Sequence, residues 1–279
     1  MVATLGAVAI RTLQESVDDA LTTFNVFSDS PPNLVPTGIR AVDDCIGGLF
    51  AGSAGILAAA TGVGKSSVVL SAALSSTARS GIISPEDTPD VVGSRLLAWE
   101  SGVDSLNIRR KIFARGETAK LAAVRDRLGG RDNVLLAYPT GGQLEEVLES
   151  IAELAAAGCR IVWLDYLQKI RGFKDDRRNE VSGVYTACQR VAARVGVALM
   201  VVSQFARQLD PSRQPQIWWL KESGDLENEA RLILLAARDG SGLTLRIAKS
   251  AFGGEGCVAT YVRDASGSLR ERTITEDEL

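Results

Sequence analysis

The stretch from Ile56 to Ser66, ILAAATGVGKS, constrains this chain more than any other. An unbroken apolar run over Ile56–Ala60 gives way to Thr61-Gly62-Val63-Gly64-Lys65-Ser66, and a helical pattern follows over Ser66–Leu74. A buried strand, a glycine turn and a helix in that order make a concave cradle whose backbone N–H groups and helix N-terminus bind anions. In such a cradle Thr61, Gly62, Val63 and Gly64 wrap phosphates, and Lys65 reaches the β and γ groups. The Ser66 hydroxyl ligates Mg²⁺, and Ser67 completes the nucleotide-binding set. Ala59 stands where the usual pattern begins with glycine. A small residue suffices there, because only close approach of the backbone is required.

The rest of the chain repeats this rhythm. Apolar runs at Gly81–Ser84, Val134–Tyr138, Arg160–Asp165, Val197–Ser203 and Arg231–Ala237 read as strands, with helical patterns between them. The clearest helix carries Leu144, Val147, Leu148, Ile151 and Leu154 on one stripe. Strands alternating with helices predict an α/β fold with a mainly parallel central sheet flanked by helices. LTLRIAKS and CVATYVR on either side of FGGEG predict an antiparallel hairpin near the C-terminal end. At the front, Val8, Leu13, Val17 and Leu21 suit an amphipathic helix over residues 7–24, and Pro31, Pro32 and Pro36 mark a linker. The expected organisation is a linker helix with its proline-rich connection over 1–36 and one ATPase domain over 37–279. The TEDEL tail is acidic and expected to be solvated.

Composition narrows the chemistry. The 279 residues include no histidine, which excludes histidine triads and histidine metal ligands. The four cysteines, Cys45, Cys159, Cys188 and Cys257, show no CxxC spacing, so reduced thiols are expected rather than disulfides or a zinc site. A net charge of −3 gives no global attraction to nucleic acid, and any such binding must come from local basic patches or a multi-subunit channel. No apolar stretch is long enough to span a bilayer, and no basic-then-apolar leader is evident; a soluble, cytoplasmic protein is the expectation.

Two carboxylates fit the phosphate loop. Asp165 ends the run Arg160-Ile-Val-Trp-Leu-Asp165, at the sheet edge where ligands gather, and would hold Mg²⁺ together with Ser66. Glu86, in IISPEDTP, leaves another strand toward the same edge as a base or orienter for attacking water. Read alone, either could simply be a charge at the start of a turn or helix.

The string Asp165-Tyr166-Leu167-Gln168 resembles the DnaB-type replicative helicases, hexameric ring motors with a RecA-like P-loop core. The likeness runs in order over residues 37 to 262: TGIRAVDDCIGGLFAG leads into the first core strand, then GVGKSS, SPEDTPDVVGSRLLA, VVSQFARQL and LKESGDLENEARLILLAARDG follow. The resemblance implies that Lys65 and Ser66 bind phosphate and Mg²⁺, and that Glu86 is the catalytic carboxylate. It makes Asp165 metal-associated and Gln204 the γ-phosphate sensor, and it adds Arg238 to the nucleotide-binding residues.

Two departures stand out. The family's K-x-R-x-G pattern carries an arginine finger for the neighbouring subunit's nucleotide, and fingers of this kind contribute about 10³ or more to turnover. This chain reads Lys249-Ser250-Ala251-Phe252-Gly253. Either Lys249 suffices, Arg246 or Arg263 substitutes, hydrolysis is slow, or the position has been altered. The family's helical N-terminal domain has no counterpart here, and residues 7–24 look like its linker helix, which packs on the adjacent subunit.

Basic loops suggest the polymer. Lys169, Arg171, Lys174, Arg177 and Arg178 follow Gln168, and Arg207 and Arg213 follow Gln204; such loops track a single-stranded DNA backbone without reading sequence. Trp218 or Trp219 could stack on bases, with at least one in the core. Arg109-Arg110-Lys111 reads as a solvated helix face. The resemblance implies an ATP-driven homohexameric helicase moving 5′ to 3′ on single-stranded DNA, with a primase or loader as a possible partner. The alternatives are a RecA-like recombination or annealing ATPase that uses ATP as an affinity switch, and a clock or signalling ATPase without DNA.

Overall fold

Thr12 opens the first helix, α1 (Leu13–Thr23), through a capping box. Its hydroxyl accepts from the Glu15 N–H at 3.1 Å, and the Glu15 carboxylate accepts from the Thr12 N–H at 2.7 Å. The computed structural model describes residues 11–30, 32–173, 177–205, 214–223, 226–240, 242–264 and 268–272, with only the backbone of 177–179, 221–223 and 239. The helix expected over 7–24 is therefore seen from its cap onward, and residues 7–10 lie outside the described ones, as does the acidic tail. Met1–Leu34 and Val35–Leu279 form two units. The first buries no side chain of α1.

The second unit is built on apolar runs that become strands wherever both faces are covered. A strand packed on both sides cannot alternate polar and apolar residues, so it reads as continuous Val, Ile, Leu and Ala. β1 (Ala54–Ala59), β2 (Ser80–Ile83), β4 (Ile161–Leu164) and β5 (Ala198–Gln204) are such strands, while β3 (Val134–Ala137) is half-buried at the edge. β6 (Leu232–Asp239) pairs parallel to β1; β7 (Gly242–Ser250), β8 (Val258–Arg263) and β9 (Leu269–Arg272) extend the sheet antiparallel. The order is β3-β2-β4-β5-β1-β6-β7-β8-β9. Each predicted strand appears within two residues of its expected ends, and the predicted hairpin is β7–β8. β9 was not expected, since Leu-Arg-Glu-Arg lacks an apolar alternation.

Successive residues point to opposite faces of the sheet. Leu57, Ala59, Trp163, Met200, Val202 and Leu234 join one apolar cluster. Ile56, Ala58, Val162, Leu164, Leu199, Val201 and Leu235 join the other. The first cluster is covered by α2 (Arg40–Ile46), α3 (Lys65–Ser75) and α4 (Pro89–Ser101), with α5 (Ser105–Arg110) and α6 (Glu117–Gly129) following α4. The second is covered by α7 (Leu144–Ala156), α8 (Arg177–Val195) and α9 (Leu226–Glu229). The stripe read from the sequence is the buried face of α7: Leu144, Val147, Ile151 and Leu154. Arg109 and Arg110 are exposed at the end of α5, as expected.

Ile39 precedes α2 and has no side chain that can cap it. Glu271 of β9 does so instead, accepting from the N–H groups of Arg40 at 2.8 Å and Ala41 at 2.7 Å. Nearby, the turn after β7 lies so close to α2 that a side chain at Gly254 would meet Ile46 Cγ2 at 2.9 Å. That approach joins Cys45 to Cys257 as a disulfide. This corrects the expectation of reduced thiols throughout: the two are 212 residues apart in sequence, and spacing carries no trace of a contact that the topology creates. Cys159 and Cys188 are free and buried. Among the described residues no helix is long and apolar enough to cross a membrane.

Candidate nucleotide site

The C-terminal ends of β1, β2, β4 and β5 lie along one edge of the sheet, and the loops leaving them hold the side chains singled out by the sequence. This is the crevice where open α/β sheets bind ligands. After β1 the backbone turns through Gly62 (φ 78°) and Gly64 (φ 117°), left-handed conformations that glycine adopts without strain. Gly64 is also the cap of α3 and offers no side-chain acceptor, so the first N–H groups of that helix are left for a ligand.

Lys65 is buried at the start of α3 and donates from Nζ to the Ala60 carbonyl at 3.0 Å, across the mouth of the loop. Burial pushes its ammonium below the usual lysine range, against the pull of Asp165 and Glu86. Asp165 is buried immediately after β4, and burial raises its carboxyl above the usual aspartate range, although a Ser66 hydrogen bond and the Lys65 charge oppose that. Its Oδ1 has no hydrogen-bond partner. A buried, unpartnered carboxylate oxygen beside a serine hydroxyl at a phosphate cradle is the donor set Mg²⁺ takes, with its remaining ligands from phosphate and water. Ser67 is buried in the first turn of α3, and Thr61 is exposed at the start of the loop.

Glu86 lies in the loop after β2, with Oε1 3.0 Å from Lys169 Nζ. Its neighbour Asp87 pairs with Arg95 of α4 at 3.1 Å. Gln204 is the last residue of β5, next to Ala59 of β1 in register. The Gln168 amide holds it from the side: Nε2 donates to Ser203 Oγ at 2.9 Å and to the Gln204 carbonyl at 3.3 Å, and Oε1 accepts from the Gln204 N–H at 3.1 Å. The sequence reading takes Gln168 only as a letter of the Asp165–Gln168 string. The signal for its role is an amide leaving the strand beside the sensor, which requires the strand order to be known.

Two arginines approach the loop from the far side. Arg238, at the end of β6, donates from Nη2 to the Gly62 carbonyl at 2.9 Å. Arg263, at the end of β8, lies over Gly64, where a Cβ would meet its Nη2 at 2.5 Å. Arg246 is elsewhere, with Nη2 on the Pro215 carbonyl at 2.9 Å. Lys249 pairs in register with Ile233, whereas the phosphate loop follows the level of Ala236. Three residues of strand separate these levels by about 10 Å. Lys249 Nζ donates to the Glu227 and Asn228 carbonyls at 2.6 and 3.3 Å. Lys249 is therefore not brought to its own chain's phosphate loop.

Of the residues assigned to DNA, Lys169 and Arg171 are described. Lys169 sits in a 3-10 turn (Leu167–Lys169), paired with Glu86, and Arg171 Nη1 donates to the Gln168 and Ile170 carbonyls, both at 3.1 Å. Lys174, Arg207 and Arg213 lie outside the described residues, as do the side chains of Arg177 and Arg178 at the start of α8. Trp219 packs edge-on against Phe205 at 5.7 Å, while Trp218 is 56% exposed.

A family model described as the DnaB-like helicase C terminal domain matches residues 35–251. The chain belongs to that family. It is similar to the probable plasmid replicative DNA helicase of Chlamydia psittaci, 24% identical over 73% of this chain and 46% of the relative. It is also similar to the replicative DNA helicase DnaC of Bacillus subtilis, 25% identical over 74% of this chain and 47% of the relative. The chain thus spans about half the length of these curated relatives. A solved ATPase domain shares its fold, with a TM-score of 0.84, 21% identity, and coverage of 95% of this chain and all of that one. A DnaB-like replicative helicase solved for its interactions with primase superposes with a TM-score of 0.80 and 21% identity, over 94% of this chain and 67% of that one. The RecA-like fold expected of a DnaB-like domain is the one observed.

Proposed function

We propose that this chain is the motor domain of a replicative DNA helicase, hydrolysing ATP with Mg²⁺ and moving along single-stranded DNA as a homohexameric ring in the cytoplasm. The observation that carries this reading is one sheet edge bearing the phosphate loop, the Ser66–Asp165 pair, Glu86 and Gln204 in a chain of the DnaB-like family. In this reading residues 37–279 are the ATPase domain, and residues 1–36 are a linker helix and its tether that dock on a neighbouring subunit. A primase or a loader is the expected protein partner.

The residues divide the work by position. The loop N–H groups and Lys65 bind the β- and γ-phosphates, and Arg238 steadies the loop through Gly62. Ser66 and Asp165 would hold Mg²⁺, which would supply positive charge against the phosphates. Glu86 orients and deprotonates the attacking water. Gln204 reads the γ-phosphate and passes its state to the basic loops that follow β4 and β5. Arg263 supplies cationic charge to the nucleotide from within the chain where Ala251 cannot, and Lys249, at the other end of β6–β7, faces a neighbour's nucleotide.

Steady-state ATP hydrolysis with and without single-stranded DNA, beside strand displacement on a forked duplex, tests the proposal. DNA-stimulated turnover with displacement supports a motor; stimulation without displacement would shift the reading to an ATP-switched binding protein. No turnover here or in Ala251→Arg overturns it.

A further inference from the structure

The ion pair between Lys169 and Glu86 joins a residue assigned to DNA with the residue assigned to water activation. We infer that Lys169 is a positioning residue that restrains Glu86 until single-stranded DNA draws its ammonium away, so that DNA releases the catalytic carboxylate. This rests on the function proposed above and deepens it.

The geometry is specific. β2 and β4 are adjacent parallel strands with Ile83 opposite Leu164. Glu86 is three residues past the first and Lys169 five past the second, so both leave the same sheet edge side by side. Their side chains meet at 3.0 Å, and they are 44% and 43% exposed. Lys169 Nζ also lies 5.9 Å from the centre of the Tyr166 ring, so its stem runs along the same turn.

The backbone beneath Lys169 is fixed, which places any movement in the side chain. Leu167 and Ile170 are fully buried on either side. The Gln168 amide is bonded to Ser203 and Gln204, and Arg171 N–H donates to the Gly142 carbonyl at 2.9 Å. Thus the turn that carries Lys169 is clamped to the end of the strand bearing Gln204. Movement of that strand with phosphate state would reach Lys169 and Glu86 as well.

Chemistry supplies the restraint. A carboxylate paired with an ammonium at 3.0 Å is aimed at Lys169 rather than at water. Magnitude supplies the release. An exposed ion pair is weak, and a DNA phosphate offers the ammonium a partner at least as good. The coupling must be modest and reciprocal: DNA must break the Lys169–Glu86 pair to take the ammonium, so loss of the Glu86 charge removes that cost and must appear as tighter DNA binding.

The test compares wild type, Lys169→Met, Lys169→Arg and Glu86→Gln. Lys169→Met is expected to raise DNA-free kcat two- to fivefold at unchanged KM for ATP, which is about 0.4–1 kcal/mol at 1.36 kcal/mol per factor of ten. Its stimulation by oligothymidylate should shrink by the same factor, and Lys169→Arg should restore both values. Glu86→Gln is expected to bind a fluorescent oligothymidylate two- to fivefold more tightly in anisotropy titrations without nucleotide. This last readout needs neither turnover nor a folded Lys169 variant. Wild-type stimulation with DNA-free kcat unchanged in Lys169→Met, or Glu86→Gln binding DNA as wild type does, overturns the inference and leaves the motor reading intact. A wild type that neither hydrolyses ATP nor binds the oligonucleotide removes the reading itself and the inference with it.

Discussion

Gln168 and Gln204 grip each other through both ends of one amide, with the Gln204 N–H on Gln168 Oε1 at 3.1 Å and Gln168 Nε2 on the Gln204 carbonyl at 3.3 Å. Gln168→Leu keeps the shape but leaves the Gln204 N–H and the Ser203 hydroxyl without this partner. An unsatisfied buried donor costs about 1–3 kcal/mol. Urea unfolding should register a loss in that range, and ATP turnover should fall with it. Unfolding at the wild-type midpoint would show that the clamp is incidental.

Asp165 gives a pH signature. Its folded-state carboxyl titrates above the ordinary aspartate range because it is buried, so the folded protein holds that proton more tightly than the unfolded chain. Stability from this group is present at low pH and is lost as pH rises through the raised value. Each tenfold difference in proton affinity is about 1.4 kcal/mol. Asp165→Asn, neutral throughout, should therefore gain stability relative to wild type as pH rises through that value in nucleotide-free melts, while Mg²⁺-dependent turnover is abolished. A variant that loses ground as pH rises would contradict this assignment.

Gly64→Ala combines two penalties. The backbone φ of 117° strains any side chain, and the new Cβ would meet Arg263 Nη2 at 2.5 Å. Left-handed strain of this kind costs roughly 1–3 kcal/mol. Arg263→Ala in the same chain should relieve the steric part alone, so a double-mutant cycle on thermal stability should be non-additive. Strict additivity would place Arg263 away from the loop. Arg263→Ala by itself should lower kcat if this arginine compensates for Ala251.

The cysteines can be counted by alkylation. The disulfide leaves two thiols, and burial pushes Cys188 up to about 12 and raises Cys159, so both are protonated and inert at neutral pH. In air-equilibrated buffer the native protein should label at neither, the denatured protein at two, and the denatured and reduced protein at four. Four labels without reductant would show that Cys45 and Cys257 do not pair.

Trp218 is 56% exposed and follows Arg213 by five residues in the sequence. Stacking on a base is worth about 1–3 kcal/mol. Trp218→Ala should weaken single-stranded DNA binding about fivefold or more, and the wild-type tryptophan emission should be quenched on binding. Unchanged affinity would confine DNA contacts to the basic side chains.

The parallel part of the sheet was legible because β1, β2, β4 and β5 are buried on both faces, so their sequences are apolar almost without interruption. Asp165 and Gln204 were legible for a related reason: each is a polar residue closing such a run, and Lys65 and Ser66 follow the glycine turn that closes another. What the sequence could not show depends on pairings between distant segments. Glu271 reaches α2, Cys257 reaches Cys45, Arg263 reaches Gly64 and Lys169 reaches Glu86 only after the strands are ordered. β9 was missed because three of its four residues are charged, and an edge strand needs only one buried side, here through Leu269.

The capping of α2 by Glu271 has a consequence for the order in which the protein is made. Arg40 and Ala41 leave the ribosome 231 and 230 residues ahead of the carboxylate that accepts from them. At roughly 5–20 residues per second, the interval is on the order of ten seconds or more. Throughout it α2 has free N–H groups at its start and no side-chain cap. The segment that leads into the phosphate loop is thus secured only once residue 271 has been added, and a chain released before then would carry every nucleotide-binding side chain without the cap that holds α2 in place.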